Sequence, residues 1–158
     1  MSMLALPESE CQEILAMFRQ HLPHVPDAWL QELAENYGCD AIADIDPNDV
    51  IAILSVPGKL HRIRISLSQH DYPQKTRSRL HDALIAQDIE PGLILACLLT
   101  IHDSSVKLGE VGELIGQVFD VCSMNEMKGW ACYINHFNAA HDSGQTSLRI
   151  YLILKSFC

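Results

Sequence analysis

The chain has 158 residues, of which 48% are hydrophobic and 20% are charged, with a formal net charge of −9. That length fits one domain with a buried core, and the composition excludes a disordered chain. The longest apolar stretch, residues 92–101, is well short of the roughly 20 residues that cross a membrane, and the N-terminus lacks the regions of a signal peptide. We therefore expect one cytoplasmic domain over residues 1–158.

Apolar residues recur at helical spacing in the first third of the chain. They predict a helix over residues 8–20 and a second helix that begins at Pro26 and ends at Gly38. Asp46 and Pro47 suit the N-cap and first position of a short helix to Leu54, although residues 50–54 also suit a strand. Residues 44–49 resemble the start of a calcium loop but lack its glycine, so a helix cap and a turn explain the aspartates better.

The middle of the chain predicts a strand and two further helices. Residues 60–67 alternate between apolar and polar types, which indicates a strand with one basic face. A polar helix is predicted over residues 73–87. After Pro91, the run Leu93–Leu99 is apolar all round, so we interpret it as a central core helix, with a buried strand as the alternative.

The last third predicts two helices and a strand. Residues 108–122 carry the cleanest helical stripe of the chain. A capping-box pattern at residues 123–126 begins another helix, which residues 142–144 end. Residues 146–157 then predict a strand whose middle is apolar on both faces.

These elements predict an α+β fold that is predominantly α-helical. It would have about six or seven helices and a small sheet containing strands near residues 60–67 and 146–157. Two strands make a marginal sheet, so either they pair and pack on helices, or their edges pair with a second copy. Because an open edge must be covered or used, we expect a homodimer.

Charge is segregated along the chain. Residues 1–58 hold ten acids and one base, residues 59–81 hold six bases and one acid, and residues 82–158 hold nine acids and four bases. The middle segment offers a basic binding surface, made of Lys59, Arg62, Arg64, Lys75 and Arg79. The negative net charge argues against general nucleic-acid binding, which needs cations.

One local pattern could hold a metal. Cys132 and His136 lie four residues apart in a predicted helix, and His141 lies near its end. A thiolate with imidazoles suits zinc. The six cysteines contain no C-x-x-C pair, which indicates reduced thiols in a cytoplasmic protein. Phosphate-loop, nucleophile-elbow and H-E-x-x-H motifs are absent from the sequence, so we expect no cofactor and no enzymatic activity.

The first functional hypothesis is therefore a non-catalytic protein–protein interaction module of bacterial type, such as an adaptor, a chaperone-like protein or an inhibitor. Segregated charge favours this function because it gives association its specificity and rate. A basic protein would suit the acidic N-terminal segment. The alternatives are a metal- or thiol-dependent protein centred on Cys132, His136 and His141, and a nucleic-acid-binding protein that uses residues 59–81.

Overall fold

The computed structural model describes residues 8–35, 37, 41–43, 45–68, 75–103, 108–122, 129–136 and 145–156. The helices in this part of the chain are α1 (Glu8–His21), α2 (Asp27–Glu35), α3 (Pro47–Leu54), α4 (Thr76–Ala86) and α5 (Leu108–Cys122). The strands are β1 (Ala41–Ala43), β2 (Lys59–Ser68), β3 (Ile94–Asp103), β4 (Gly129–His136) and β5 (Gln145–Leu154). None of these helices is long and apolar enough to cross a bilayer.

The strands form one mixed sheet in the order β1-β4-β3-β5-β2. Strands β3 and β4 are parallel and are joined through α5, as expected for a β-α-β unit. Strand β5 runs antiparallel to both β3 and β2. It therefore lies between two strands that precede it in the chain, and β1 and β2 form the two edges.

The predominantly helical prediction, with six or seven helices, is wrong. Residues 94–103 and 129–136 were assigned to helices by their apolar spacing but form strands β3 and β4. Strand β3 is covered on both faces, with Cys97 and Leu99 in one core and Ala96 and Leu98 in the other. A strand buried on both faces loses the alternation that identifies strands, which is why the buried-strand alternative holds for this run.

Strand β4 misleads for a related reason. Gly129 lies against Ile53 of α3, and Trp130 packs against the core on the opposite face. Both faces of β4 are therefore covered, and its sequence has no reason to alternate between apolar and polar residues. The aromatic and β-branched residues Trp130, Tyr133 and Ile134 favour a strand, but their spacing also fits a helical stripe. The three-residue strand β1 was not predicted.

The remaining elements agree with the sequence to within a few residues. Residues 50–54, whose sequence suits either a helix or a strand, belong to helix α3. Asp46 is the N-cap of this helix, and Pro47 lies in its first turn. The Asp46 carboxylate accepts a hydrogen bond from the Asn48 N–H at 2.8 Å. Capping therefore accounts for Asp46, as the sequence predicted. Because the sheet has five strands, the argument that two strands need a second copy no longer applies.

Helices cover both faces of the sheet. Helices α1, α2 and α3 pack on one face around a core that includes Phe18, Leu33, Leu54 and Tyr151. Helices α4 and α5 pack on the other face, where the core includes the residues Leu80, Leu84, Leu114, Val118, Cys97 and Cys122. Cys11, Cys97 and Cys122 are not joined in disulfide bonds, and a hydrogen bond from Cys97 lowers the pKa of the buried Cys122 thiol. We call the two faces the α1–α3 face and the α4–α5 face.

Gly58 lies where the backbone enters strand β2, with a φ of +155°. A Cβ atom at this position would collide with the carbonyl oxygen of Leu154 and with the side chain of Ile153. We therefore expect Gly58→Ala to lower the free energy of unfolding by about 2 kcal/mol, measured by urea denaturation. Gly92→Ala is the matched control, because no atom lies within 4 Å of its added methyl group. Equal stability of the two variants would contradict this account.

The first turn of α4 is capped from the neighbouring helix. Lys75 at its N-cap makes no side-chain capping bond, and instead the buried Gln117 of α5 accepts a hydrogen bond from the Arg77 N–H at 2.9 Å. We expect Gln117→Leu to cost about 1 to 2 kcal/mol, because it leaves that N–H without an acceptor. Glu113→Leu, at an exposed position of the same helix, should leave the melting temperature nearly unchanged in calorimetry.

Candidate functional site

The predicted basic surface is divided between the two faces of the sheet. Arg62 and Arg64 occupy alternate positions of β2 and lie on the α1–α3 face, since the odd-numbered Ile63 and Ile65 are packed in the α4–α5 core. Lys75 is the N-cap of α4 and Arg79 lies within that helix, on the opposite face. The sheet therefore separates Arg62 and Arg64 from Lys75 and Arg79.

Arg62 is held inside the fold. Its guanidinium donates a hydrogen bond to the Glu32 carboxylate of α2 at 3.0 Å, and both side chains are 17% exposed. The same guanidinium lies 5.3 Å from the ring centre of Trp29, within range of a cation–π interaction. One acid of the N-terminal segment thus neutralises one base of the middle segment.

Glu32 also binds strand β5. The Tyr151 hydroxyl donates a hydrogen bond to it at 2.6 Å, and Arg149 Nε lies 3.9 Å from its second oxygen. Burial, followed by the bond to Glu32, raises the pKa of Tyr151 well above its usual range. We call Trp29, Glu32, Arg62, Arg149 and Tyr151 the polar cluster. It connects α2 with two adjacent strands.

His102 and Thr100 extend this polar region along β3. The Thr100 hydroxyl donates to the Arg149 carbonyl at 3.2 Å. His102 is only 3% exposed. Burial, followed by the charge of Arg149, lowers the pKa of His102 to about 4. The imidazole is therefore neutral at pH 7.

The chemistry of the polar cluster is that of a structural element. A proton acceptor or donor in catalysis needs a pKa near the working pH. The pKa of the Tyr151 phenol is raised and the pKa of the His102 imidazole is lowered, so both lie far from pH 7. Glu32 is engaged by a hydroxyl and a guanidinium at the same time. The cluster therefore fixes α2 on the sheet by charge-assisted hydrogen bonds.

Arg64 differs from its neighbour Arg62. It is exposed and lies directly opposite Arg149 in the β2–β5 register. Like charges at opposing positions of two strands repel each other. Within the part of the chain that the structure describes, Arg64 forms no ion pair and no side-chain hydrogen bond. It is a cation on an edge strand, available to a partner.

A shallow groove of about 570 Å³ runs between α4 and α5. Its lining residues are Arg77, Ser78, His81, Asp82, Asp120 and Val121. Arg77 and Asp120 form an ion pair across it at 2.6 Å, with side chains that are 60% and 63% exposed. Arg77 is thus the second base of residues 59–81 that an acid of the same chain neutralises. Both the groove and its ion pair face solvent.

The predicted metal residues do not lie on a helix. Cys132 and His136 belong to strand β4, and His141 lies outside the described residues. Among the described residues, no group of three or more histidine, cysteine, aspartate or glutamate side chains is placed to hold a metal ion. The shared helix face on which that prediction rested is absent, and the metal site stays a prediction.

Comparison with known proteins gives information on the fold alone. No protein-family model matches the chain, and no curated protein matches it. Among solved structures, an FtsZ dimer of M. jannaschii is similar with a TM-score of 0.55 and 15% identity, over 88% of this chain and 43% of that one. Protofilaments of Bacillus thuringiensis TubZ in the GDP form give a TM-score of 0.54 and 13% identity, over 94% and 41%.

The fold resembles part of FtsZ and of TubZ. This chain spans about two-fifths of the length of those proteins. The similarity covers both helices and strands of this chain. It therefore contradicts the predominantly helical fold that the sequence suggested. The names of the two solved structures describe a dimer and protofilaments, which are assemblies of those proteins.

The sequence predicted two bases of this region and missed most of its other members. Arg62 and Arg64 were predicted as binding residues, whereas Glu32, Arg149 and Tyr151 were not. One signal was available. Arg149 is a charged residue in a strand whose middle was predicted to be buried on both faces. Because a buried charge requires a partner, an acid could have been expected near it.

Proposed function

We propose that this chain is a non-catalytic protein–protein interaction domain that associates with a second copy through oppositely charged surfaces. The observation that carries the proposal is the exposed Arg64 on edge strand β2, a cation without an acid partner among the described residues. Exposed acids lie in the α1–α3 layer at Glu13 and Asp49, whereas the exposed Asp27 is paired with Arg19. The basic edge of one copy has a complementary surface on another, and such complementarity favours association.

Two further observations support this function. Similar folds occur in an FtsZ dimer and in TubZ protofilaments, so this type of fold is found in assemblies. The titratable groups of the polar cluster are used to hold α2 on the sheet, which leaves the surface as the part available for function. A homodimer is the first assembly to test, and adaptor, chaperone-like or inhibitory roles would follow from what the assembly binds.

Sedimentation velocity of the untagged chain tests this proposal. Between 10 and 200 µM protein we expect reversible association that weakens by roughly tenfold or more from 50 to 500 mM NaCl, because salt screens exposed charges. Arg64→Glu should weaken association at low salt. Arg77→Glu is the matched control, because it makes the same charge change at the α4–α5 groove. A monomer at every concentration, or equal effects of the two variants, would refute the proposal.

A further inference from the structure

Strand β2 has one side without a strand partner in the described sheet. All ten of its residues pair with β5, and no other described strand lies beside it. An edge of this kind presents unpaired N–H and C=O groups to which another strand can add. At ten residues, β2 is as long as β3 and β5 and is longer than most edge strands.

The outward-facing groups of this edge can be identified. The Gln87 side chain donates a hydrogen bond to the Arg62 carbonyl at 3.3 Å, so that carbonyl points away from β5. Backbone direction alternates along a strand, and therefore the N–H and C=O groups of Arg64, Ser66 and Ser68 also point outward. Gln87 bonds this edge at Arg62. Within the part of the chain that the structure describes, no strand lies beside residues 64–68, where Arg64 and Ser66 are exposed.

Positive charge borders this stretch on both faces. Arg64 projects on the α1–α3 face, where it lies opposite Arg149. On the other face, Arg77 of α4 points toward α5 and bonds Asp120. Arg79 is two residues further along the helix, or about 200° around it, so it lies on the flank that faces away from α5, toward the edge of β2. A strand added here would lie between Arg64 and Arg79.

We infer that the open edge of β2 binds an extended acidic segment of a protein, which adds to the sheet as a sixth strand. Backbone hydrogen bonds to residues 64–68 would align the segment, and the carboxylates along one of its faces would meet Arg64 on the α1–α3 face. This inference shares the exposed Arg64 with the proposed function and goes beyond it, because the partner is an extended acidic segment and not the folded surface of a second copy. A second copy joined edge to edge fits less well, because antiparallel pairing of two β2 strands centred on Arg64 would bring arginines together.

Synthetic peptides distinguish strand addition from simple charge attraction. The probe is a capped decapeptide that alternates threonine and glutamate. Two comparison peptides replace every glutamate with lysine, or every threonine with proline, which cannot supply the backbone N–H groups of a strand. Binding is measured by NMR titration of the full chain at 50 mM NaCl, with up to 1 mM peptide. We expect the Thr-Glu peptide to bind and to slow amide exchange at Arg64 and Ser66, and neither comparison peptide to bind.

Variants of the chain complete the test. Arg64→Glu should weaken binding of the Thr-Glu peptide at least tenfold, whereas Arg77→Glu should leave it within twofold. Equal binding of the proline peptide, an unchanged affinity in Arg64→Glu, or no binding at 1 mM would each overturn the inference. Self-association is measured without peptide, so the two proposals can fail separately. A monomer that binds the peptide would retain the edge site and reject the homodimer.

Discussion

Replacing Glu32 with alanine is expected to lower the free energy of unfolding by about 3 kcal/mol. The substitution leaves two largely buried arginines without the acid that neutralises them, and an unpaired buried charge is strongly destabilising. Arg62 and Arg149 would both lose their acid partner, and the Tyr151 hydroxyl would lose its acceptor at 2.6 Å. Urea denaturation followed by tryptophan fluorescence measures the change, with the slope of the transition as a check on two-state behaviour.

Three variants separate the contributions to this effect. Tyr151→Phe removes one hydrogen bond and should cost about 1 kcal/mol. Glu32→Gln retains an acceptor without the charge and should fall between Tyr151→Phe and Glu32→Ala. Glu13→Ala, at an exposed position of α1, should change stability by less than about 0.5 kcal/mol. If Glu32→Ala costs no more than Glu13→Ala, the polar cluster does not hold α2 on the sheet.

Acidification from pH 7 to pH 4 is expected to remove about 3 kcal/mol of stability through His102 alone. Burial and Arg149 lower its pKa from 6.5 to about 4 in the folded chain. The unfolded chain therefore takes up a proton near pH 6.5, and the folded chain does so only near pH 4. This stabilising contribution is complete above pH 6.5 and is lost as the pH falls through the folded value. Urea unfolding at intervals between pH 4 and pH 7.5 measures it.

The assignment to His102 is tested by how the free energy of unfolding changes with pH, more than by its value at one pH. His102→Asn should make unfolding much less dependent on pH in that range, even if the substitution lowers stability at pH 7. His81→Asn, at an exposed position of α4, should retain the full slope. His61 contributes in the same direction, because burial and Lys59 lower its pKa. A wild-type slope in His102→Asn would show that acid destabilisation arises elsewhere.

The elements that sequence patterns predicted are those with one face in the core and one in water. Helices α1 and α5 and strand β2 are of this kind, and their apolar spacing identifies them. Strand β3 is apolar on both faces because helices cover both, so its sequence does not distinguish a helix from a strand. The fold class was wrong because the interior strands β3 and β4 were assigned to helices.

The candidate site was predictable only where it is local in sequence. The alternation of Arg62 and Arg64 with buried residues indicated a basic face on β2. The partner of Arg62 could not be inferred in that way. Glu32 and Tyr151 are 119 residues apart, and their contact depends on β5 lying beside β2. No spacing rule links positions so distant before the strand order is known.

The place of β5 between β3 and β2 has a consequence for how the chain is made. During synthesis, β2 and β3 both leave the ribosome before the strand that joins them. Until residues 145–154 emerge, β2 has no described neighbour along its length, and its backbone groups remain hydrated or must be shielded by a chaperone. Contacts so distant in sequence slow folding. From the completion of β3 at residue 103 until residues 145–154 are made, the nascent chain carries β2 and β3 without the strand that pairs with both.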